Sequence, residues 1–321
     1  MYVLRQLASL VFSLLFVSLI VTAIFSFLPG DSATLFTGLD ASPEQLQAVR
    51  AELGIDKSIP QRYVLWLKGA LGGDFGQSVQ YAKSVNELLS ARIHITVTLA
   101  VISLLITALV SFPLGALAAV ASNNKTAVGG IIEKGVRFFI TLGLSVPNYF
   151  SGIILIWFAG IFLHLFVPGN FVSAGAGYAQ FLRFVQSLFF PALALSIPNT
   201  CILTKFVYEQ IKTEKKAEYV RCAKSKGGNE AHIFFRHIVP NMLSPVLTIA
   251  GIICAETLSG SIVIEQVFSI PGMGRLLLGA IKVRDFPVVM TVVLYIAFVL
   301  IVVNLIFELL VRIIDPRVKI Q

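Results

Sequence analysis

The sequence predicts an all-α integral membrane protein with six membrane-spanning helices, and three observations support this prediction. Apolar residues make up 56% of the 321 residues and charged residues only 13%, whereas soluble domains usually contain about 25% charged residues. The mean hydropathy is +0.85. Six apolar runs are long enough to cross the hydrocarbon layer of a bilayer, which is roughly 30 Å thick. They cover residues 7–28, 96–121, 138–166, 188–211, 242–264 and 287–311.

The first run begins after Arg5 and ends at Pro29 and Gly30. A secretory signal has a shorter apolar core followed by a small-residue cleavage site. This run is about 20 residues long, which is the length that a membrane-spanning helix needs. Residues 1–29 are therefore predicted to be a retained first span.

Residues 30–94 are mostly polar and are predicted to form a helical insertion outside the membrane. Serine followed three residues later by Gln or Glu is the spacing of a capping box, which starts a helix. This spacing occurs at 42–45 and at 84–87. We therefore expect one helix over 42–54, a second over 60–71, and a capped start for the segment that leads into the second span.

Residues 95–311 are predicted to form a core of five spans, followed by a tail at 312–321. Several of these spans contain proline or glycine, which membrane helices tolerate where neighbouring helices or water satisfy the freed backbone groups. These residues favour a packed bundle with an internal path over six simple anchors. They are Pro113, Pro147, Pro191, Pro198, Gly251 and Gly260.

The distribution of basic residues predicts the orientation. If the N-terminus, the tail, 122–137 and 205–242 share one side of the membrane, that side holds 15 of the 25 Lys and Arg residues. The other side then holds four, apart from those in the long insertion. Insertions of that length hardly count in the positive-inside rule. Both termini are therefore predicted to be cytoplasmic.

Residues 212–240 are the longest polar stretch in the second half of the chain and carry seven Lys and Arg residues. Helical spacing of apolar residues on both sides of Gly227-Gly228 predicts two short helices hinged at these glycines. Such a segment is either an ordinary loop held by anionic headgroups or a surface that docks on something outside the lipid. The charge by itself favours the ordinary loop.

The sequence lacks the common motifs for nucleotide binding, catalysis and metal binding. It contains no GxxxxGK[ST], HExxH or GxSxG motif, and no CxxC pair. We therefore predict no catalytic residue, metal site or cofactor, and we do not expect an enzyme. The net charge of +8 is explained by the membrane topology, so nucleic acid is not expected as a partner.

Glu256 lies deep in the fifth span, in the segment ICAETLSGS. A carboxylate that faced lipid there would cost about 2.5 kcal/mol or more, so the side chain is expected to face the bundle interior. Glu256, with Ser259, either lines a path for a cationic or amine-bearing cargo, or is a neutral or hydrogen-bonded acid held by Thr257 or Ser259. The sequence favours neither alternative.

Eight segments together resemble the permease subunits of binding-protein-dependent ABC importers, and most of all the dipeptide, oligopeptide and nickel branch. They are EYVRCAKSKG (218–227), RHIVPN (236–241), LPGDSA (28–33), LGIDKSIPQRYVLWLKGALGGDFGQS (53–78), FPALALSIP (190–198), VIEQVFSIPGMGRLL (263–277), RDFPVV (284–289) and DPR (315–317). The chain departs from the family pattern in the basic loop, where Ala-Glu replaces Glu-Ala-Ala. Its third extracellular loop, near 168–186, is also short.

The resemblance implies a six-span helical bundle of the ABC importer permease (MetI-like) type in the bacterial cytoplasmic (inner) membrane. It implies four kinds of partner: a second homologous permease subunit, two ATP-binding subunits, an extracytoplasmic substrate-binding protein and membrane lipid. The 212–240 hairpin would then couple the chain to the ATP-binding subunits. The residues assigned to this role are Glu218, Tyr219, Arg221, Ala223, Lys226, Gly227 and Arg236.

The cargo is left open between two classes. Peptides are favoured because they are the larger share of this branch, whereas Glu256 and the turn at 147–149 also resemble the nickel members. A stand-alone secondary transporter is an alternative class, and it would need ion-coupling acids of its own. A membrane scaffold or receptor is a further alternative, in which the hairpin binds a signalling protein and nothing crosses the bilayer.

Overall fold

The structure is a computed structural model that describes residues 2–27, 57–122, 126–175 and 177–315, together with the single residues 42, 44 and 47. Within these residues the regular elements are helices, and no β-strand occurs; one isolated bridge joins Gln77 and Ser84. The helix predicted over 42–54 lies almost entirely outside the described residues. The all-α prediction is confirmed.

Helices account for most of the described residues. In chain order they are α1 (Tyr2–Phe27), α2 (Ile59–Leu71), α3 (Val85–Ala121), α4 (Ala127–Ser145), α5 (Asn148–Leu155), α6 (Tyr178–Glu214), α7 (Glu218–Ser225), α8 (Glu230–Ile233), α9 (Val239–Val267), α10 (Met273–Val283) and α11 (Phe286–Ile314). Two π-helical segments, Ile156–Phe162 and Phe234–Ile238, follow α5 and α8. The chain divides into two compact units: residues 1–96 with 271–301, and residues 97–270 with 302–321.

Among the described residues, five helices are long and apolar enough to cross a membrane, and a bent pair brings the number to six. The pair consists of Ala127–Ser145 and Asn148–Phe162, which meet at an angle of 105°. The apolar run predicted over 138–166 is therefore not one continuous helix. Val146 is extended, with φ −101° and ψ 118°, because a residue that precedes proline avoids the helical region. Pro147 then starts the second helix.

Two helices begin with capping serines, one at the predicted position Ser84 and one at Ser58, where no cap was predicted. The Ser58 N–H donates to the Gln61 side chain at 3.2 Å at the start of α2, which confirms the helix predicted over 60–71. The Glu87 N–H donates to the Ser84 hydroxyl at 3.2 Å at the start of α3. Each cap satisfies a backbone group that would otherwise lack an intrahelical partner.

In the first unit, two segments that are far apart in the sequence meet at the buried Asp285. Its carboxylate accepts hydrogen bonds from the Ser78 hydroxyl at 2.5 Å and from the Gln80 backbone N–H at 3.2 Å. The Val289 N–H bonds to the Asp285 carbonyl at 3.0 Å in the first turn of α11. Asp285 therefore attaches the glycine-rich turn after α2 to the start of α11.

In the second unit, α6 packs against α4, α5 and α9. A Cβ atom on Gly143 of α4 would overlap Cys201 Sγ of α6, and one on Gly115 of α3 would lie 2.7 Å from a methyl group of Val207. Small residues of this kind allow membrane helices to approach closely. These contacts hold α6 close to α4 and α3.

A buried apolar cluster, here called the base cluster, joins residues 220–238 of the basic segment to four of the long helices. Three of its residues, Val220, Ile233 and Ile238, come from the predicted hairpin. The others come from α3, α4, α6 and α9: Ala118, Ala119, Val136, Ile140, Leu203, Val207, Tyr208, Ile211, Met242, Val246 and Ile253.

Candidate functional site

The basic hairpin, residues 212–240, begins where α6 ends. Lys215 is half-buried, and its Nζ donates to the Ala119 carbonyl at 3.2 Å. Ala119 is in the last turn of α3, where carbonyl groups have no intrahelical partner, so the lysine caps that helix. Burial lowers the pKa of Lys215, and the nearby Glu230 opposes this shift. The start of the hairpin is thereby attached to a neighbouring helix.

Tyr219 makes a second attachment at the same end of the hairpin. Its hydroxyl donates to the Glu214 carboxylate in the last turn of α6. Burial raises the pKa of Tyr219, and the hydrogen bond to Glu214 raises it further. The phenol is therefore neutral at physiological pH and remains a donor.

The turn between α7 and α8 needs both of its glycines, for different reasons. The Gly227 N–H bonds to the Lys224 carbonyl at 3.0 Å, and the Gly228 N–H bonds to the Ala223 carbonyl at 3.1 Å. This pattern is a Schellman motif, and Gly227 has the left-handed φ of +78° that the motif requires. A Cβ atom on Gly228 would lie 2.9 Å from the Ala223 carbonyl oxygen, whereas nothing lies within 4 Å of one on Gly227.

The second arm of the hairpin is continuous with a membrane span. Asn229 caps α8, with its Oδ1 accepting from the Ala231 N–H at 3.2 Å. The chain then passes through the π-helical segment Phe234–Ile238 directly into α9, so that Glu230–Val267 forms one helical stretch of 38 residues. The sequence predicts a separate short helix here, and the structure shows instead the first turns of a long one.

The two faces of the hairpin have opposite character. Val220, Ile233 and Ile238 are 1%, 2% and 2% exposed and belong to the base cluster. Ala223 is half-buried at the edge of this face. The remaining residues assigned to coupling are all exposed: Glu218, Tyr219, Arg221, Lys226, Gly227 and Arg236.

Sequence reasoning missed Phe235, whose side chain is 70% exposed beside Arg236. A large aromatic residue next to a cation, on an otherwise charged surface, has the composition of a protein-binding surface. Its neighbour Phe234 is partly buried against the base cluster. A local signal that could identify Phe235 is its angular position on the helix relative to the buried Ile233. The π-helical segment shifts that angular position by one residue.

The two residues assigned to a translocation path, Glu256 and Ser259, are both exposed on α9. Thr257, one of the candidate partners of Glu256, is fully buried; its hydroxyl donates to the Ile253 carbonyl at 2.7 Å and accepts from Asn199 at 3.0 Å. Thr257 therefore faces the interior of the unit. From Ile252 onward, the exposed residues of α9 recur at helical spacing and form what we call the α9 stripe: Ile252, Glu256, Ser259, Val263 and Gln266.

Two of the four histidines lie close together on the hairpin. The His232 and His237 rings lie 6.1 Å apart on the hairpin, and the Tyr219 ring lies 6.5 Å from that of His237. Across the described ranges, no three His, Cys, Asp or Glu side chains are placed to hold a metal ion.

Comparison with known proteins gives a consistent result along the chain. The family model described as the binding-protein-dependent transport system inner membrane component matches residues 111–320. The N-terminal model for membrane components of the same systems matches residues 1–100.

Several relatives match nearly the full length. The chain is 31% identical over 318 residues to a probable peptide ABC transporter permease protein of Sinorhizobium fredii, with 99% of each chain covered. It is 30% identical over 319 residues to an oligopeptide transport system permease protein of Bacillus subtilis. The same values hold for a dipeptide transport system permease protein of Lactococcus lactis, and the alignments cover 99% of both chains in each case.

Among solved structures, the MetNI methionine ABC transporter in an inward-facing conformation aligns with a TM-score of 0.56. The sequences are 14% identical, and the alignment covers 71% of this chain and 96% of the other. At this identity the likeness establishes the fold alone, and it confirms the MetI-like architecture.

Proposed function

Because this chain belongs to the family of inner membrane components of binding-protein-dependent transport systems, we propose that it is a permease subunit of an ATP-driven peptide importer. It forms half of a translocation path together with a second homologous permease. Two separate ATP-binding subunits lie on the cytoplasmic side, and one of them binds the basic hairpin of this chain. One observation carries the proposal: the hairpin is buried on one face against the spans and exposed on the other.

The attachment of the hairpin makes it suitable for transmitting movement. Its exposed face is available to an ATP-binding subunit, while Val220, Ile233 and Ile238 fix its other face in the base cluster. Closely packed interiors transmit displacement because they are barely compressible. Since α8 runs into α9 without a break, movement of the hairpin would move the fifth span directly.

The α9 stripe is the proposed wall of the path. A carboxylate and two further polar side chains, Ser259 and Gln266, are exposed on a helix that is apolar enough to span a membrane. Facing them to lipid would be costly, so water or another subunit must cover them. Glu256 would attract the ammonium group that every free peptide N-terminus carries.

The remaining partners follow from the same family. Residues 30–94 would receive the substrate-binding protein on the extracytoplasmic side, and both chain termini would lie in the cytoplasm. The names of the relatives support peptides as the cargo. The nickel alternative rests on Glu256 and the turn at 147–149.

Cys222 provides a direct test of the hairpin contact, because this thiol is exposed on α7 whereas Cys201 is buried. A thiol–amine cross-linker applied to the intact transporter should join this chain to an ATP-binding subunit. Cys222→Ser should remove that product. If Cys222 gives no product with an ATP-binding subunit, or gives one with a signalling protein, the proposed coupling is wrong.

Uptake by proteoliposomes tests the rest of the proposal. Labelled peptide should enter when ATP, the binding protein and all subunits are present, and should not enter when the ATP-binding subunits are omitted. Uptake by this chain alone would indicate a secondary transporter. Saturable uptake of nickel or its chelate, without uptake of peptide, would replace peptide as the cargo.

A further inference from the structure

A network of charged groups surrounds the hydroxyl of the buried Tyr208, where α4 meets the end of α6. The hydroxyl donates to Glu133 Oε1 at 2.7 Å and accepts from Arg137 Nη2 at 2.8 Å and from Lys212 Nζ at 3.1 Å. Arg137 and Lys212 also lie over the tyrosine ring, 5.4 Å and 5.2 Å from its centroid. Tyr208 is 2% exposed, so the network has a fixed centre.

The cations of this network remain accessible from outside the chain. The Arg137 side chain is 53% exposed. Within the described part of the chain, its contacts with Tyr208 and Glu133 both use Nη2, so Nε and Nη1 can serve a ligand. Lys134 is exposed on the same helix.

Two further charged groups lie near the network on α6. Lys205 and Glu209 are both exposed, and each lies within one turn of Tyr208 along α6. Four cations and two carboxylates therefore occupy this surface, and their net charge is positive. An anion is the complementary ligand.

An exposed apolar surface continues from the cations along α4. Phe138 is 66% exposed and Leu142 is 50% exposed, and together with Lys134 they follow at intervals of four residues. Residues at this spacing lie on one side of a helix. A cationic end followed by an apolar flank matches a molecule that has an anionic head and a hydrocarbon tail.

We propose that this surface binds an anionic phospholipid of the cytoplasmic leaflet. Its phosphodiester would lie against Arg137 and Lys134, and one acyl chain would lie along Phe138 and Leu142. Basic surfaces between membrane helices on the cytoplasmic side bind headgroups of this kind. The assignment to the cytoplasmic leaflet rests on the proposed function, which places the hairpin in the cytoplasm.

The experiment measures lipid selectivity in the complete transporter. Spin-labelled phosphatidylglycerol and phosphatidylcholine are compared by their motionally restricted fractions in vesicles that contain both lipids. We expect the wild type to prefer phosphatidylglycerol. Lys134→Gln should lower that preference by up to about fivefold, and adding Arg137→Gln should lower it by a similar factor, because a basic residue near the surface attracts anionic lipid by about 1 kcal/mol.

Matched variants separate binding from folding. Lys68→Gln with Lys83→Gln removes two exposed cations from the other unit and should leave the selectivity unchanged. Arg137→Lys keeps the charge and should keep most of the preference. Unchanged selectivity in Lys134→Gln with Arg137→Gln, or an equal loss in the control pair, would overturn the proposal.

Two further outcomes would also overturn it. If inorganic phosphate displaces the labelled phosphatidylglycerol more than chloride does at equal ionic strength, the surface binds free anions. If the wild-type transporter shows no lipid preference, a second subunit covers the surface. The measurement needs neither ATP nor peptide, so failure of the transport assay and failure of this proposal are distinguishable.

Discussion

The exposed face of the basic hairpin and the α9 stripe are two uncovered surfaces, and the second arm of the hairpin runs directly into α9. They differ in the free-energy cost of being exposed. The charges of the hairpin are compatible with water, and a pair such as Glu218–Arg221, at 3.0 Å, contributes little to stability. Glu256 is in a segment apolar enough for the bilayer, where an uncovered carboxylate is costly. The hairpin can therefore exist exposed, whereas the stripe requires a partner or water.

The largest effect is expected at Gly228. Gly228→Ala places a Cβ atom 2.9 Å from the Ala223 carbonyl oxygen, so the Schellman turn must open. We expect loss of ATP-dependent uptake, measured in proteoliposomes, together with faster hydrogen exchange in α7.

Gly227→Ala is the matched control for this variant. Its Cβ atom meets open space but must adopt a φ of +78°, which costs about 1–2 kcal/mol. We expect a partial loss of uptake. If Gly227→Ala were the more damaging of the two, contact with a partner and not the turn geometry would be the dominant requirement.

The next effect separates the two faces of the hairpin. Ile233→Ala removes a side chain that is 2% exposed and should destabilise the base cluster by about 2–5 kcal/mol. The ATP-binding subunits should still co-purify, but peptide should no longer stimulate ATP hydrolysis.

Phe235→Ala should give the opposite result, because this side chain is 70% exposed. The fold should be retained, and binding to the ATP-binding subunits should weaken by about tenfold or more, since exposed aromatic anchors typically contribute over 1 kcal/mol. Identical behaviour of the two variants in co-purification and thermal unfolding would contradict the assignment of faces.

A smaller effect is expected in the stripe. Glu256→Gln keeps the shape of the side chain but removes the charge that we expect to attract the peptide N-terminus. The half-saturating concentration of peptide should rise by roughly tenfold, because a hydrogen bond to a charged group contributes about 1.5 kcal/mol or more. N-acetylated peptides should show no such increase. Thr257→Val, which removes a buried contact with Asn199, should lower thermal stability instead.

The smallest effect concerns pH. Because the pKa of Tyr219 is raised by burial and then by Glu214, its neutral form is favoured in the folded hairpin. The stabilisation is therefore fully present below the ordinary tyrosine pKa of about 10 and is lost as the pH rises above that value. Hydrogen exchange of α7 should be insensitive to this group between pH 6 and about 9. Tyr219→Phe should accelerate exchange in α7 slightly across that range.

Much of the fold follows from the sequence because apolar runs, capping serines and paired glycines act locally. The starts of α2 and α3 and the turn at Gly227-Gly228 are examples. Pro147 in the sequence predicts an interruption that one spanning helix tolerates, whereas the structure has a bend of 105° there. Its angle depends on how α5 packs against α6 and α9. The spacing of apolar residues in the sequence carries no information about that packing.

The candidate site, like the fold, has some features that the sequence predicts and others that it does not. Composition predicts the hairpin as a candidate docking surface, and the rarity of intramembrane acids predicts Glu256 as a candidate path residue. The attachment of Lys215 to Ala119 joins residues far apart in the chain, so no local pattern predicts it. The hydrogen-bond partners of the Tyr208 hydroxyl come from two helices, so no local pattern predicts them either.

The π-helical segment at Phe234–Ile238 also sets an angular relation. An α-helix turns by about 100° per residue, so one additional residue within a turn offsets everything beyond it by about that angle. The π-helical segment therefore fixes the angle, about the helix axis, between the side on which Phe235 lies and the side on which Glu256 lies. Removing a single residue there would rotate one surface relative to the other without altering the chemistry of either.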